Sequence, residues 1–493
     1  MPDDPGALHR AAEIIKKYEG NINRIHYNRR IDPYTVFFEL TASDEAYGKM
    51  TEDLRRIGYL QTTLATPSFL RFNVYLPHQP GALLEFLNFT TSADANIAFI
   101  DFDDKGRYPE RVTISLTLDE SAVADRLLTA LKPRYRLEIL EYDTTGESLD
   151  DTVFYVRFAQ KLRPLVGETE DAFLMRLLSD INHIVQELSA IGKDHREVFS
   201  SILRTGTTLK ETSGNGFYAD VQRIPVTENI DLFCFQVPCG GNIFLFATPD
   251  EAFMVDTAYG IYHPDVEAML LRYVPGVEGR LSRILVTHAD ADHSGGGGYY
   301  DIPAFMHRGT REIIEKANRA YGSKIEGSVL EEVYTKLINL FSKFRPPERI
   351  TLFPERGEEM YSIFPVLDRL RVGDLEFLVL EGLGGHLHGQ VYLVCPEHGL
   401  LFTADTVLNF DSLTRERKEY NTYADFLMTS VNVDSEVARR ERRALLDIAL
   451  DLDEKMAPSG RRCLIGCGHG ALSVLNDGRL EAAGEVERYQ RGT

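Results

Sequence analysis

The sequence predicts an α+β chain in three parts: a duplicated N-terminal region, a helical connector and a C-terminal domain rich in short strands. Three observations predict this organisation. A short pattern near the N-terminus occurs twice, a stretch with helical spacing of apolar residues follows it, and the C-terminal half places His and Asp motifs after β-rich segments. A chain of 493 residues is long enough for two to four domains.

The N-terminal region contains an internal repeat. The segment "PDDPGAL" at residues 2–8 recurs as "PHQPGAL" at residues 77–83, and the same offset maps Asn21-Ile22 onto Asn96-Ile97. Each copy continues with a helical pattern, two strands, a second helix and a closing strand. Together with the predicted strand "FLRFNVYLP" before it, the second copy has the element order β-α-β-β-α-β, which is ferredoxin-like. We place the two units at residues 1–68 and 69–146.

The turn Pro-Gly-x-Leu, followed by Asn-Ile at the start of a strand, resembles the ACT domain, an amino-acid-sensing regulatory module. The resemblance covers the repeat and implies a tandem pair that binds an amino-acid effector and favours a homodimer. A Pro-Gly turn at a helix N-terminus offers free N–H groups, which suits a carboxylate. Unit one departs from the pattern, because Pro2 already belongs to the turn and no first strand precedes it. The alternative is a pair that only packs or dimerises.

Residues 147–212 are expected to form a helical connector. Apolar residues from Phe173 to Leu188 recur at three-and-four spacing over several turns, which is typical of an amphipathic helix. The connector joins the modules and is a candidate dimer contact.

The C-terminal domain, residues 213–493, carries chemistry-bearing residues after predicted strands, where sites on rigid scaffolds are common. The motifs are "FMVDTAYG", "VTHADADHSGGGG", "GGHLHG", "FTADTV" and "GCGHGA". They supply Asp256, then His288, Asp290, Asp292 and His293, then His386, Asp405 and His469. Imidazoles and carboxylates suit divalent metal ions. The glycines Gly295–Gly298 are expected to let the backbone pass close beside the metals.

The order of these motifs resembles the metallo-β-lactamase superfamily. The resemblance implies an αβ/βα sandwich with a two-metal site at one edge. One metal ion would be held by His288, Asp290 and His386, the other by Asp292, His293 and His469. Asp405 would bridge the two, Asp256 would orient a ligand, and Asp292 and Asp405 would serve in catalysis. His388 and His398 match no ligand position, and Glu381 is an alternative carboxylate ligand.

Asp290 stands where most members of this superfamily have a second histidine. An additional anionic oxygen ligand favours iron or manganese over zinc. The set resembles the flavodiiron core, which binds or reduces O₂ or NO and carries Glu at this position. It also resembles the hydrolase-like domain of DNA-uptake channels, which generally lacks the His386 motif, and the diiron β-hydroxylases of carrier-bound amino acids.

Two functions stay open. The first is a diiron protein that reacts with or binds O₂ or NO under amino-acid control. The sequence shows no flavodoxin-like domain and no rubredoxin pair of Cys-x-x-Cys motifs, so reduction would need an electron-donor protein. The alternative is an ACT-regulated metallohydrolase that cleaves a phosphodiester, ester or lactone with a metal-bridged hydroxide. A third possibility is a regulatory protein that keeps its metal without turnover. Iron is the favoured metal, with manganese and zinc as alternatives.

Composition excludes several classes of protein. Apolar residues make up 43% and charged residues 26% of the chain, as in an ordinary globular protein. The formal net charge of −21 disfavours nucleic acid as a partner. No apolar run approaches the ~20 residues of a membrane span, and the acidic start "MPDDPGALHR" is unlike a secretory signal. We therefore expect a cytoplasmic protein with no membrane partner.

The five cysteines are too few for a disulfide scaffold. The spacings in "CFQVPC" and "CLIGC" match no usual iron–sulfur motif, so buried reduced thiols are the favoured interpretation and a cluster is the alternative.

Residues 309–356 are predicted to be a helical insertion. The segment "EEVYTKLINLFSKF" is amphipathic, and the prolines of "RPPERI" end it. The insertion would cover the site, form a dimer face or pack peripherally as a helix pair.

Overall fold

The structure is a computed structural model. It describes residues 7–26, 37–59, 68–77, 82–92, 96–102, 111–118, 127–143, 151–167, 170, 173–174, 177, 181–355 and 357–491. The chain divides into two compact units. The first comprises Met1–Lys161 with Thr169–Ile181, and the second comprises Leu162–Glu168 with Asn182–Thr493.

The first unit combines short helices with antiparallel strands. Its described elements are α1 (Ala7–Lys17), β1 (Asn21–His26), β2 (Phe37–Thr41), α2 (Asp44–Arg56), β3 (Ser68–Tyr75), α3 (Ala82–Ser92), β4 (Asn96–Phe102), β5 (Arg111–Leu118) and β6 (Arg136–Asp143). Strands β1 and β2 form a two-stranded antiparallel sheet. The repeated Pro-Gly turns, at residues 2–6 and 78–81, lie outside the described residues.

Strands β3 to β6 form one antiparallel sheet in the order β4-β5-β3-β6. The first strand of this group therefore pairs with its third and its last, which is the ferredoxin-like order that the sequence predicts. Leu70, Phe72 and Val74 alternate along β3 and are buried, together with Phe86 of α3. Alternation of this kind places apolar side chains on one face of a strand, so the helices cover that face.

Among the described residues of the predicted connector, three helices have defined bounds. They are α4 (Asp151–Val166), α5 (Ile181–Ala190) and α6 (His195–Glu211). Asp194 caps α6, because its side chain accepts hydrogen bonds from the backbone N–H groups of Arg196 and Glu197. None of the described helices is both long enough and apolar enough to cross a membrane.

The second unit is built on two eight-stranded sheets. Its further helices are α7 (His263–Tyr273), α8 (Ala291–Ser294), α9 (Arg308–Lys316), α10 (Val329–Phe341), α11 (Arg415–Ala424) and α12 (Ser435–Met456). Its strands are β7 (Tyr218–Pro225), β8 (Asp231–Gln236), β9 (Asn242–Ala247), β10 (Ala252–Val255), β11 (Leu281–Leu285), β12 (Ala304–Met306), β13 (Ile350–Leu352), β14 (Met360–Tyr361), β15 (Phe364–Val372), β16 (Leu375–Glu381), β17 (Val391–Cys395), β18 (Leu400–Ala404), β19 (Leu464–Cys467), β20 (Ser473–Asn476), β21 (Arg479–Ala482) and β22 (Glu487–Gln490).

One sheet has the order β13-β12-β11-β10-β9-β8-β7-β22, and the other runs from β14 to β21 in sequence. The sheets pack face to face: the ring of Phe246 lies 5.1 Å from that of Phe377 and 5.5 Å from that of Phe402. Helix α12 covers the outer face of the second sheet, where Leu445 and Ile448 join the buried cluster. The second unit is thus a two-sheet sandwich with a helix on its outer surface.

Candidate metal centre

The predicted metal ligands come from strand ends on both sheets. His288, Asp290, Asp292 and His293 follow β11, His386 follows β16, Asp405 follows β18, and His469 follows β19. Strand β11 is parallel to β10, and β18 is parallel to β19. The carboxyl ends of neighbouring parallel strands meet at one sheet edge, and the structure brings all seven residues together there as two adjoining groups.

The first group consists of His288, Asp290, His386 and Asp405, and its ligand atoms all lie within 4.8 Å of one another. His386 Nε2 is 3.2 Å from Asp290 Oδ2, and His288 Nε2 is 3.7 Å from the same oxygen. The donor atoms of the first group therefore come from the segments that follow three different strands, β11, β16 and β18.

The second group consists of Asp292, His293 and His469, within the same limit of 4.8 Å. Asp292 Oδ2 lies 3.4 Å from His469 Nε2 and 3.7 Å from His293 Nε2. The short helix α8 places Asp292 and His293 in this group, whereas Asp290, just before the helix, belongs to the first.

Asp405 lies between the two groups. Its Oδ1 is 3.1 Å from His293 Nε2, and its Oδ2 is 3.3 Å from His469 Nε2 and 3.8 Å from His386 Nε2. One carboxylate thus approaches histidines of both groups, which is the place that the sequence predicts for a bridging ligand.

The residues present fit a pair of divalent metal ions. His288 Nε2, His293 Nε2 and Asp405 Oδ1 are buried and have no partner in hydrogen-bond geometry among the described residues, although the last two atoms lie 3.1 Å apart. An unsatisfied buried polar atom costs about 1–3 kcal/mol, so three of them in one place point to a missing partner. A set of four imidazoles and three carboxylates is a suitable donor set for divalent ions of borderline or hard character.

Hydrogen bonds to the Nδ1 atoms turn the Nε2 atoms toward the centre. His293 Nδ1 lies 2.8 Å from Asp256 Oδ2, and His288 Nδ1 lies 3.0 Å from Thr287 Oγ1, which donates to Asp256. His386 Nδ1 is 3.2 Å from Asn432 Oδ1. A proton on each Nδ1 leaves the lone pair of Nε2 free for a metal ion.

Asp256 therefore has the orienting position that the sequence predicts, while Asn432 was not identified from the sequence. Asp256 also accepts a 2.8 Å hydrogen bond from the backbone N–H of Thr287, and its φ is 61°. Asp and Asn tolerate this left-handed conformation better than most residues. The carboxylate thus contacts His293 and Thr287 and belongs to neither group of candidate ligands.

Replacing Asp256 with asparagine should lower the affinity of the second group for its metal ion by about 10–100-fold, which is the usual cost of losing a partner behind a ligand. Asparagine keeps the shape and tolerates the positive φ. A competition titration with a chromophoric chelator measures the effect, and Asp250→Asn, on an exposed residue, serves as the matched control. Equal affinity in the Asp256 variant and the control would show that Asp256 does not orient His293.

Burial and the neighbouring carboxylates have opposite effects on the pKa values of the histidines in the centre. Burial alone would lower the pKa of His469, but Asp405 and Asp292 outweigh it and raise this pKa to about 9. Burial lowers the pKa of His288 well below its usual value, with a further contribution from His293. Asp405, Asp292 and Asp256 likewise outweigh burial at His293 and raise its pKa well above the usual value. Without metal, therefore, His288 is neutral, whereas His293 and His469 carry protons at neutral pH.

Metal uptake should consequently release protons from both His293 and His469, because a histidine ligand must be neutral. We expect the apparent affinity to rise with pH at least as far as the raised pKa of His469, about 9. Calorimetric titrations in two buffers of different ionisation enthalpy count the released protons. An affinity that stays constant between about pH 6.5 and 9 would contradict this assignment of charge.

The helical insertion contributes a buried arginine that the sequence analysis did not identify. Arg319, between α9 and α10, is 2% exposed. Its Nε lies 3.2 Å from Asp290 Oδ1 and its Nη2 lies 3.3 Å from Asp290 Oδ2. Burial would raise the pKa of Asp290, but Arg319 and His386 outweigh it and hold this pKa well below its ordinary value. No local sequence pattern marks Arg319, because the contact is long-range.

Other predicted residues lie apart from the two groups. Glu381, the alternative ligand, lies 3.5 Å from His307 through its Oε1 and belongs to neither group. The ring of His388 packs near the ring of His307, at 6.1 Å. All five cysteines are buried free thiols, and in the described part of the chain no cysteine belongs to a group that could hold a metal ion.

The glycines beside the ligands are not the ones that the sequence analysis selected. A Cβ atom on Gly295 or Gly296 would meet the backbone oxygens of Ala291 or Thr257, and one on Gly297 or Gly298 would meet residues 345–347. The four glycines thus allow close packing of loops, and the prediction that they line the metals was wrong.

Gly241 and Gly468 instead lie directly beside candidate metal ligands. A Cβ atom would lie 2.3 Å from His293 Cε1 at Gly241 and 2.0 Å from Asp405 Oδ1 at Gly468. Gly241 lies in none of the motifs, and Gly468 lies in "GCGHGA" but approaches Asp405 of another motif, so neither contact is visible in the glycine's own segment.

Comparison with known proteins agrees with this site. Residues 237–452 match the sequence model of the family described as "Metallo-beta-lactamase superfamily", a range that contains every ligand of the two groups except His469. No curated protein matches the chain.

Among solved structures, the chain is similar to a beta-lactamase domain protein from Burkholderia ambifaria, with 19% identity and a TM-score of 0.31 over 50% of this chain and 71% of that one. It is also similar to a metallo-β-lactamase from Erythrobacter litoralis, with 14% identity and a TM-score of 0.30 over 51% of this chain and 89% of that one. The match to the family model identifies residues 237–452 as a domain of the metallo-β-lactamase superfamily.

Proposed function

We propose that the second unit is a metal-dependent enzyme with a dinuclear centre. One observation carries this proposal: two groups of buried donor atoms adjoin at Asp405, and three of those atoms have no partner in hydrogen-bond geometry among the described residues. In this arrangement His288, Asp290 and His386 would hold one ion, Asp292, His293 and His469 would hold the other, and Asp405 would be shared between them. Asp292 and Asp405, which belong to the two groups and keep 14% and 9% side-chain exposure, are the proposed catalytic residues.

We propose that both ions are iron and that the centre binds or reduces O₂ or NO. Support comes from the third carboxylate, Asp290, whose Oδ2 lies 3.2 Å from His386 Nε2 within the first group. A donor set rich in anionic oxygen favours iron or manganese over zinc. Bound ions would supply either redox electrons or Lewis acidity and an acidified water. Net reduction of O₂ or NO takes its electrons from outside the centre, so an electron-donor protein is the proposed partner.

A metallohydrolase is the second candidate, and the contact between Asp290 and Arg319 favours it. The guanidinium lies against both oxygens of Asp290 and partly offsets its charge. Asp290 is then a weaker electron donor than an unpaired carboxylate, which reduces the preference for iron. The substrate of this candidate is a phosphodiester, an ester or a lactone.

For the first unit we propose regulation by an amino acid bound at residues 1–68 and 69–146, in a homodimer. The ferredoxin-like order of β3 to β6 and the repeated Pro-Gly pattern support this proposal. Titration of the full chain with single amino acids, followed by calorimetry and by light scattering, tests it. Saturable binding of one amino acid is the expected result, and no binding by any of the twenty would overturn it.

The test between the two candidates uses protein purified without air. The diiron proposal predicts two iron ions per chain, a visible absorption band on exposure to O₂ or NO, and no cleavage of bis(p-nitrophenyl) phosphate or a simple lactone. Colourless protein that holds zinc or manganese and cleaves either substrate would overturn it in favour of hydrolysis. The variant Asp405→Asn is the control for any activity of the centre.

A further inference from the structure

A residue outside the predicted metal motifs, Arg319, contacts the first group of candidate ligands. The loop between α9 and α10 places Arg319 in the interior, where its guanidinium contacts Asp290, Glu331 and two backbone oxygens. We infer that Arg319 is a positioning residue of the metal centre: it fixes the Asp290 carboxylate for the first metal ion and makes the helical insertion part of the site. This inference rests on the proposed dinuclear centre.

The fork of Arg319 faces the edge of Asp290 with two parallel contacts, Nε to Oδ1 at 3.2 Å and Nη2 to Oδ2 at 3.3 Å. Oδ2 is at the same time 3.2 Å from His386 Nε2. A carboxylate oxygen has two lone pairs, so one can accept from Arg319 while the other points toward the first group. A bidentate contact of this kind fixes the plane of the carboxylate, which a single hydrogen bond does not.

Arg319 is itself held firmly. Its Nη1 lies 3.4 Å from Glu331 Oε2, and its Nη2 donates to the backbone oxygen of Val431 at 2.9 Å. Glu331 is fully buried, and its other oxygen accepts hydrogen bonds from the backbone N–H and the hydroxyl of Thr429. If the guanidinium moved away from these partners, the buried carboxylates of Asp290 and Glu331 would lose their cationic partner. We therefore expect Arg319 to stay in this position.

The segment that Arg319 contacts also orients His386. Next to Val431, the side chain of Asn432 faces His386 Nδ1 at 3.2 Å, and the N–H of Val433 donates to the backbone oxygen of His386 at 3.1 Å. Arg319 therefore connects two ligands of the first group, Asp290 directly and His386 through residues 431–433. It touches no residue of the second group in the described contacts, so its influence should fall on one ion.

A role in the metal centre must be separated from a purely structural pairing with Glu331. The single variant Arg319→Met leaves Asp290 and Glu331 without their cationic partner and should destabilise the fold. The decisive variant is therefore Arg319→Met with Glu331→Gln, which removes one positive and one negative buried charge. Glu331→Gln alone is its matched control. Arg319→Lys keeps the charge but loses the fork.

We expect the double variant to melt near the wild-type temperature and to bind the first ion about 10–100-fold more weakly, while the second ion binds as in the wild type. At a free iron(II) concentration that just saturates the wild type, bound iron should fall from two ions per chain to one. Glu331→Gln should keep two, and Arg319→Lys should lie between. Two ions bound with wild-type affinity in a folded double variant would overturn the inference, whereas failure of the wild type to bind two ions would overturn the proposed centre itself.

Discussion

Replacing Asp405 with asparagine should remove both metal ions and abolish turnover. In the part of the chain that the structure describes, its carboxylate approaches His293, His469 and His386 together, at 3.1, 3.3 and 3.8 Å. Asparagine has nearly the same volume but offers one neutral oxygen and an amide whose hydrogens would face the imidazoles. We expect the affinity for both ions to fall by more than about 100-fold, the upper end of the cost of losing an outer partner.

Metal analysis after gel filtration and a turnover assay measure this loss. Asp411→Asn, on an exposed residue of the loop that follows β18, is the matched control and should keep both ions. Circular dichroism establishes that the Asp405 variant is folded. A folded variant that retained two ions would show that Asp405 does not bridge them.

Replacing Gly241 with alanine should have the second large effect, because it places a methyl group inside the ligand set. The added Cβ would lie 2.3 Å from His293 Cε1 and 2.4 Å from Nε2, far inside van der Waals contact. His293 is fully buried and is tied to Asp256 through Nδ1, so it cannot swing away freely. We expect the ion of the second group to bind more than about 100-fold more weakly, and the free energy of unfolding to fall by about 1–3 kcal/mol.

The comparison variant is Gly279→Ala, because a Cβ atom there meets nothing within 4 Å. Both glycines lack the positive φ that disfavours alanine, so a difference between the two variants reports on space alone. Stepwise metal titration and chemical unfolding give the two quantities. Unchanged binding of the second ion in Gly241→Ala would mean that His293 is not held where the structure places it.

The sequence could indicate which candidate ligands lie together because each of them follows a strand. His288, His386, Asp405 and His469 come shortly after β-rich runs, and strand ends of a sandwich meet at one edge. The succession of strands and helices around β3 to β6 was predictable for a similar reason, since the alternation of apolar residues and the turn residues are local signals.

The rest of the site depends on contacts between distant segments. Arg319 and Asn432 lie in loops without a motif, and only the packing of the insertion and of residues 429–433 brings them to Asp290 and His386. The glycine prediction failed for the same reason. A glycine-rich run such as Gly295–Gly298 suggests close approach, but what is approached is decided by the three-dimensional fold.

The contact between Asp290 and Arg319 changes how Asp290 is interpreted. In the sequence it is an additional anion that favours iron. In the structure its two oxygens face Arg319, so the carboxylate is fixed in orientation and its charge is shared. The choice between iron and zinc therefore depends on the pair rather than on Asp290 alone.

The central claim is that seven residues hold two metal ions joined through Asp405. The most direct measurement is the metal content per chain of the full-length protein, purified without air and analysed by mass spectrometry of the elements beside Asp405→Asn. We predict two ions per wild-type chain and fewer than about half an ion per variant chain. Wild-type protein with at most one ion, or a folded variant that still holds two, would contradict the claim.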